Sequence, residues 1–338
     1  MSNINRSLVL DAEHNLRIEN RPIPVPGEGE VLVKIAATGI CGSDVRFYTD
    51  GRVGTFVVTT PVIPGHESSG TIAGVGKGVK ALREGDRVAV EPGISCGICD
   101  MCKTGRYNLC YEMVFLSAPP HDGMFCDYIV LPEHLAFPIP DSLSMRAAAM
   151  SEPSAVAIHS VNRSRMVAGD TGIIIGAGPI GLLTLQAFKA AGGGRAICVD
   201  VIDKRLDIAK ELGADDVCKP GDKILDGAAD VIFECAGSAQ ATETLISMAR
   251  RGARIVQVGN PKGGSVALDL ATLCDFEIDY IGIFRYANVY PTAIRWLADG
   301  RLNTDKLITH VFPFEQAVEA FNLSRDNPND TIKVVIEN

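Results

Sequence analysis

Four cysteines crowd one short stretch, Cys96, Cys99, Cys102 and Cys110, with the spacing Cys-x2-Cys-x2-Cys-x7-Cys. Four thiolates complete a tetrahedral zinc shell and leave no position for a substrate, so this spacing predicts a structural zinc site. The chain has 10 cysteines, and its opening, MSNINRSLVLDAEHN, lacks a basic segment followed by an apolar one. Without a secretory signal, clustered thiols favour metal ligation over a disulfide framework, and a cytoplasmic location is expected. Only Lys103 and Arg106 are basic within the cluster, which argues against a zinc ribbon that grips nucleic acid.

A second set of ligand types is dispersed. Cys41 lies in Gly39-Ile40-Cys41-Gly42-Ser43-Asp44, His66 and Glu67 follow Pro64-Gly65, and Glu152 sits in Ser151-Glu152-Pro153. One thiolate, one imidazole and a carboxylate can hold zinc with one coordination position open, which catalysis needs. Residue chemistry alone also allows His66 to be an ordinary core or surface histidine.

The third set is Gly176-Ala177-Gly178-Pro179-Ile180-Gly181. This G-x-G-x-x-G follows the strand-like TGIII and opens a helical pattern, the context a dinucleotide site requires. The first glycine permits the turn, the second lets a pyrophosphate approach, and the third allows close helix–strand packing, with the helix N-terminus facing the phosphates. Asp200 ends the next strand, AICVD, where a carboxylate accepts from a ribose 2′-hydroxyl and repels a 2′-phosphate. NAD is therefore expected over NADP. Arg205 could pair with a phosphate or stack on adenine.

The elements that must carry these groups fall into two kinds. At 338 residues, two domains are expected. The first half has short β-branched runs between glycines and prolines (31–40, 69–76, 86–93, 127–132), a strand-rich, partly open barrel. Beyond a helical stretch over 145–160, apolar strands alternate with helices, the pattern of a covered parallel sheet. The uncharged run Thr171–Phe188 is long enough to span a membrane, but its five glycines and prolines read better as strand, turn and helix. The tail from Arg285 is expected to fold back on the first half. The fold class is thus α/β, with one discontinuous domain over 1–149 and 285–338 and another over 150–284. A net charge of −9 and 46% hydrophobic content describe a globular chain with no general attraction to nucleic acid.

Cys41-Gly-Ser-Asp, Gly65-His66-Glu67, the four-cysteine loop, Glu152-Pro153 and the Gly176 turn occur in the order seen in zinc-dependent medium-chain dehydrogenases/reductases. The resemblance covers essentially the whole chain. It is strongest to the polyol branch, the sorbitol and xylitol dehydrogenases, through CGSDVRFY (41–48), RVAVEPG (87–93), GRYNLC (105–110), APPHDG (118–123) and IFRYANVYP (283–291). It implies a GroES-like β-rich catalytic domain and a Rossmann coenzyme domain, two zinc ions and NAD. It further implies that Cys41, His66 and Glu67 hold the catalytic zinc, with Glu152 either a ligand or bonded to the metal's water. Asp44 becomes the group that orients His66, and Ser43 resembles the family's proton-relay hydroxyl.

By the same resemblance Arg285 and Tyr286 contact a chain of hydroxyls, while Phe47 and Phe115 are pocket walls. Phe47 stands where some sorbitol dehydrogenases place a tyrosine, so one hydroxyl contact is missing. The reaction implied is reversible, NAD-linked oxidation of a secondary hydroxyl of a sugar alcohol to the ketose. The alternatives are a secondary-alcohol or L-threonine dehydrogenase on this scaffold, or a zinc- and NAD-binding protein without turnover. No nucleic-acid or membrane partner is expected. The apolar strand IDYIGIF lies at a sheet edge in the family's strand order and invites a second copy, predicting a homodimer or homotetramer.

Overall fold

A computed structural model of the chain describes residues 4–261 and 264–338. Two compact units result. One comprises Met1–Glu152, Tyr290–Ala298 and Leu307–Asn338, the other Pro153–Val289 and Asp299–Lys306. The tail is thus divided between them. Its turn Asp299–Lys306 stays with the second unit because Gln186 grips Asn303 at both backbone groups, donating to its carbonyl (3.3 Å) and accepting from its N–H (2.7 Å).

The first unit is built on a seven-stranded sheet in the order Ala136–Pro138, Arg87–Val90, Glu67–Val75, Glu30–Gly39, Lys333–Glu337, Ile308–Pro313, with Tyr128–Pro132 also paired to Glu30–Gly39. Along Glu30–Gly39, Val31, Val33, Ile35 and Ala37 are buried, the period-2 pattern of a strand with one face in a core. That face meets Ile72, Val88, Val90 and Leu131. All ladders in this sheet are antiparallel except Ile308–Pro313 against Lys333–Glu337.

The second unit is a six-stranded, wholly parallel sheet: Asp216–Cys218, Ala196–Val199, Gly172–Ile175, Ala229–Glu234, Ala249–Gln257, Asp279–Gly282. Its central strands Gly172–Ile175, Ala196–Val199 and Ala229–Glu234 are buried throughout, which is why they read as unbroken apolar runs. Strand order reverses between Gly172–Ile175 and Ala229–Glu234, the doubly wound arrangement whose switch point is a ligand crevice. The uncharged run from Thr171 resolves into the strand Gly172–Ile175, a glycine turn and the helix Pro179–Ala190. Among the described residues no helix is long and apolar enough to cross a membrane.

One buried acid sets a pH dependence in the first unit. Glu91, just beyond the strand Arg87–Val90, is 4% exposed, and burial pushes its pKa up to about 7 despite the bond it accepts from Tyr107 Oη at 2.8 Å. The folded chain therefore keeps a proton that the unfolded chain releases between pH 4.5 and about 7, so this part of the stability is lost as pH rises through that window. Glu91→Gln should remove the effect. Urea unfolding at pH 5 and pH 8 is expected to show the wild type losing up to about 3 kcal/mol relative to the variant. Parallel curves for the two proteins would contradict it.

Candidate active site

Three strand ends create the dispersed metal-ligand set. In the ladder, Gly39 pairs with Glu67 on one side and with Val335 on the other. A Cβ at Gly39 would lie 2.3 Å from Glu67 Oε2 and 3.4 Å from Lys333 Cδ. The missing side chain is what lets the Glu67 carboxylate lie across the central strand and reach Lys333. Lys333 Nζ donates to both Glu67 oxygens, at 2.8 and 2.6 Å, and to the Ile40 carbonyl at 3.0 Å. Both side chains are nearly sealed from solvent, at 3% and 1% exposure.

Immediately after the central strand, Cys41 caps the helix Gly42–Asp50. Asp44, fully buried, accepts from the Cys41 N–H (3.0 Å) and the Gly65 N–H (3.2 Å), tying the two ligand-bearing turns together. Its Oδ1 stands 3.5 Å from His66 Nδ1, and Ser117 Oγ is closer, at 2.9 Å. Both neighbours engage Nδ1, which leaves Nε2 as the ring nitrogen for a metal. The ligand atoms of Cys41, His66 and Glu67 all lie within 4.8 Å of one another. A thiol, an imidazole and a carboxylate at that separation fit a zinc ion with an open position.

Charge supports the fit. Burial works against protonated His66, but Asp44 and then Cys41 outweigh it and raise its pKa well above the ordinary value. Lys333 behaves alike: burial lowers its pKa, and Glu67, Cys41 and Glu152 together raise it. Glu152 is buried, in the helix Ser151–Ser164, within electrostatic reach of Lys333 but outside the three-residue ligand cluster. Ser43 is half-buried at the second position of its helix. The Phe115 ring stacks obliquely 5.5 Å from His66, whereas Phe47 is 5% exposed and packs with Leu10, Val58 and Val62.

The cysteine loop forms the other donor set. Sulfurs of Cys96, Cys99, Cys102 and Cys110 lie within 4.8 Å of one another, with 3.5 Å between Cys99 and Cys102 and 3.9 Å between Cys96 and Cys102. Tetrahedral zinc–sulfur bonds require about 3.8 Å between sulfurs, so the donors fit the ion. All ten cysteines are free of disulfides. A backbone bond from Cys102 holds the Cys99 thiol down at about 7, while burial pushes Cys102 up to about 11.

In the second unit a cavity of about 980 Å³ opens at the switch point, lined by Gly176, Gly178, Asp200, Arg205, Lys219 and Ser238 among others. The three glycines do what dinucleotide binding asks of them. Gly176 takes φ 90° against Ala236, Gly178 has open space where a Cβ would be, and a Cβ on Gly181 would strike the Gly176 carbonyl at 1.7 Å. Pro179 and Ile180 form the first turn of the helix Pro179–Ala190. Asp200 accepts from the N–H of Ala177 (2.7 Å) and of Ile202 (2.9 Å), with Arg205 Nη1 4.0 Å away. Arg285, at φ 52° with its guanidinium over Phe284, and buried Tyr286 follow the strand Asp279–Gly282 in this same unit.

Sequence reasoning missed Lys333, Ser117 and Lys219. Nothing in local spacing marks the first two, since each meets the site only through the fold. Lys219 directly follows the strand Asp216–Cys218, where it pairs with Asp203 at 2.7 Å.

Fold and donor sets together define a zinc dehydrogenase of two parts, and comparison with known proteins agrees. Residues 27–141 match the alcohol dehydrogenase GroES-like domain and residues 179–299 match the zinc-binding dehydrogenase domain. The chain belongs to the zinc-dependent medium-chain dehydrogenases, and it is an oxidoreductase of GroES-like plus Rossmann architecture. It is 41% identical to the sorbitol dehydrogenase of Bacillus subtilis (strain 168), over 98% of this chain and 96% of that one. A probable D-xylulose reductase A of Arthroderma otae is 39% identical over 94% of this chain and 93% of its own. Among solved structures, a short chain alcohol dehydrogenase from Escherichia coli CFT073 complexed with NADH superposes with a TM-score of 0.92 at 32% identity, covering 100% of both chains.

Metal analysis checks the two donor sets. Two zinc ions per chain are expected; Cys102→Ser should remove one and His66→Ala the other. Lys333→Met strips the buried Glu67 carboxylate of both its Nζ bonds and should cost roughly 3–5 kcal/mol in urea unfolding. A single zinc in the wild type, or an unfolding midpoint that Lys333→Met does not move, would be the contrary result.

Proposed function

We propose that this chain is a polyol dehydrogenase, oxidising a secondary hydroxyl of a sugar alcohol to the ketose with NAD and running reversibly. What carries the reading is the Cys41–His66–Glu67 cluster in a chain alike, over nearly its full length, to sorbitol dehydrogenase and D-xylulose reductase. The catalytic part is the discontinuous unit Met1–Glu152, Tyr290–Ala298 and Leu307–Asn338, and the coenzyme part is Pro153–Val289 with Asp299–Lys306.

When bound, zinc supplies a Lewis acid for the hydroxyl oxygen, and NAD supplies the two-electron acceptor. Cys41, His66 and Glu67 hold the catalytic ion. Asp44 and Ser117 fix the His66 ring through Nδ1. Lys333 holds Glu67 in place through both carboxylate oxygens. Glu152 ligates the metal or accepts from its water, and Ser43 carries the released proton away. Cys96, Cys99, Cys102 and Cys110 hold the structural ion. Gly176, Gly178, Pro179, Ile180 and Gly181 receive the pyrophosphate, and Arg205 lies along the adenosine. Asp200 keeps one carboxylate at the ribose, favouring NAD over NADP. Arg285 and Tyr286 bind the hydroxyl chain; five guanidinium donors suit several hydroxyls better than an alkyl tail. The protein works in the cytoplasm as a homodimer or homotetramer, paired through the edge strand Asp279–Gly282, with no nucleic-acid or membrane partner.

A panel of sorbitol, xylitol, arabinitol, galactitol and inositol against simple secondary alcohols and L-threonine tests the substrate class. NAD-linked turnover of at least one polyol should exceed that of the other two classes, and NADP should bind more weakly than NAD. Ser43→Ala should lower kcat at neutral pH about 100-fold with zinc content intact. Preference for threonine or for a simple alcohol would overturn the polyol assignment.

A further inference from the structure

The strand Ala229–Glu234 ends in a carboxylate that is 0% exposed. A buried carboxylate is costly unless donors surround it. Here they do. The Ala236 N–H reaches Oε1 at 3.0 Å, the Gly237 N–H reaches both oxygens at 3.0 and 3.1 Å, and Gln257 Nε2 donates to Oε2 at 2.7 Å. Successive backbone N–H groups of this kind make an anion nest. In this chain the nest encloses the chain's own side chain.

The nest is also a wall of the dinucleotide cavity. Cys235, Ala236 and Ser238 line it, opposite Gly178 and Asp200. The loop bears directly on the glycine turn: a Cβ on Gly176 would lie 2.9 Å from the Ala236 nitrogen. From the other side, a Cβ on Gly259 would lie 2.2 Å from the Gly237 nitrogen and 2.6 Å from Glu234 Oε2. The loop thus has little room, and the carboxylate decides where in that room it sits.

The network continues outward across two more strands. Gln257 pairs in register with Glu234, and its amide is oriented by three bonds. Nε2 donates to Glu234 Oε2 and to the Gly259 carbonyl at 2.7 Å each, and Oε1 accepts from Tyr280 Oη at 2.6 Å. Tyr280 lies on Asp279–Gly282, the edge strand of the sheet. An unbroken series of side-chain bonds therefore runs from the edge strand to the loop beside the first glycine of the turn.

We propose that Glu234, Gln257 and Tyr280 are positioning residues for the coenzyme, setting the 235–238 loop against the glycine turn and thereby setting dinucleotide affinity from the sheet edge. This rests on the dinucleotide reading of the cavity and is independent of the polyol. Its mildest test is Tyr280→Phe, which keeps the ring and removes one bond. NADH binding to the purified full-length protein, followed by nicotinamide fluorescence, should weaken roughly three- to tenfold in that variant and further in Gln257→Leu. Tyr280→Phe should add almost nothing in the Gln257→Leu background, because the bond it removes is already gone. In coenzyme-free protein, the amides of Ala236 and Gly237 should exchange hydrogen faster in both variants, with the melting temperature of Tyr280→Phe close to wild type. The KM for NAD should rise more than kcat falls. Tyr280→Phe and Gln257→Leu proteins that bind NADH within twofold of wild type, with unaltered exchange at 236 and 237, would overturn the proposal while leaving the dinucleotide site standing. A wild-type protein that fails to bind NADH would overturn both.

Discussion

The first unit depends on a charge balance struck where water cannot take part. Cys41, Glu67 and Glu152 bring potential negative charge to one place, and Lys333 brings the ammonium that opposes them. A buried carboxylate is costly unless donors or an opposing charge meet it. Lys333 Nζ donates to both Glu67 oxygens, and Gly39 has no side chain to stand between the partners. The remaining members of the site follow from this core. Asp44 ties the Cys41 turn to the Gly65 turn, and Ser117 presents the His66 ring.

The second unit solves a different problem, that of bringing backbone to a polyanion. Gly176 and Gly181 each avoid a specific clash, Gly178 leaves open space at the cavity, and the helix Pro179–Ala190 begins there. Asp200 accepts a bond from Ala177 that shapes the turn, and it also lines the cavity wall. Glu234 repeats this economy on the next strand over, bracing the opposite side of the same turn.

What could be read from the sequence is what local geometry dictates. The cysteine spacing, the glycine turn and the acid at the next strand's end are short-range patterns with steric or coordination reasons, and each lies where the spacing puts it. The parallel sheet was legible because strands buried on both faces are apolar without a break. Long-range placement was not. Lys333 is 266 residues from Glu67, and Ser117 is 51 from His66, so neither leaves a periodic trace. The packing of Phe47 with Leu10, Val58 and Val62 is likewise set by distant segments. The strand Asp216–Cys218 was too short to show a period, and with it went Lys219. The tail's turn at Asp299–Lys306 went to the other unit through the grip of Gln186, a polar residue inside an otherwise apolar helix.

The strand Lys333–Glu337 also fixes an order of events during synthesis. Cys41, His66 and Glu67 emerge early, yet the counter-charge for Glu67 is translated more than two hundred residues later. Until then the ladder from Gly39 to Glu67 and the Asp44 tie can hold the thiol, the imidazole and the carboxylate, but no ammonium faces Glu67. The four-sulfur loop, whose donors all fall within fifteen consecutive positions, has no such wait. The two donor sets are thereby completed at different times: the four sulfurs once residue 110 has emerged, the ammonium opposite Glu67 only with the last strand.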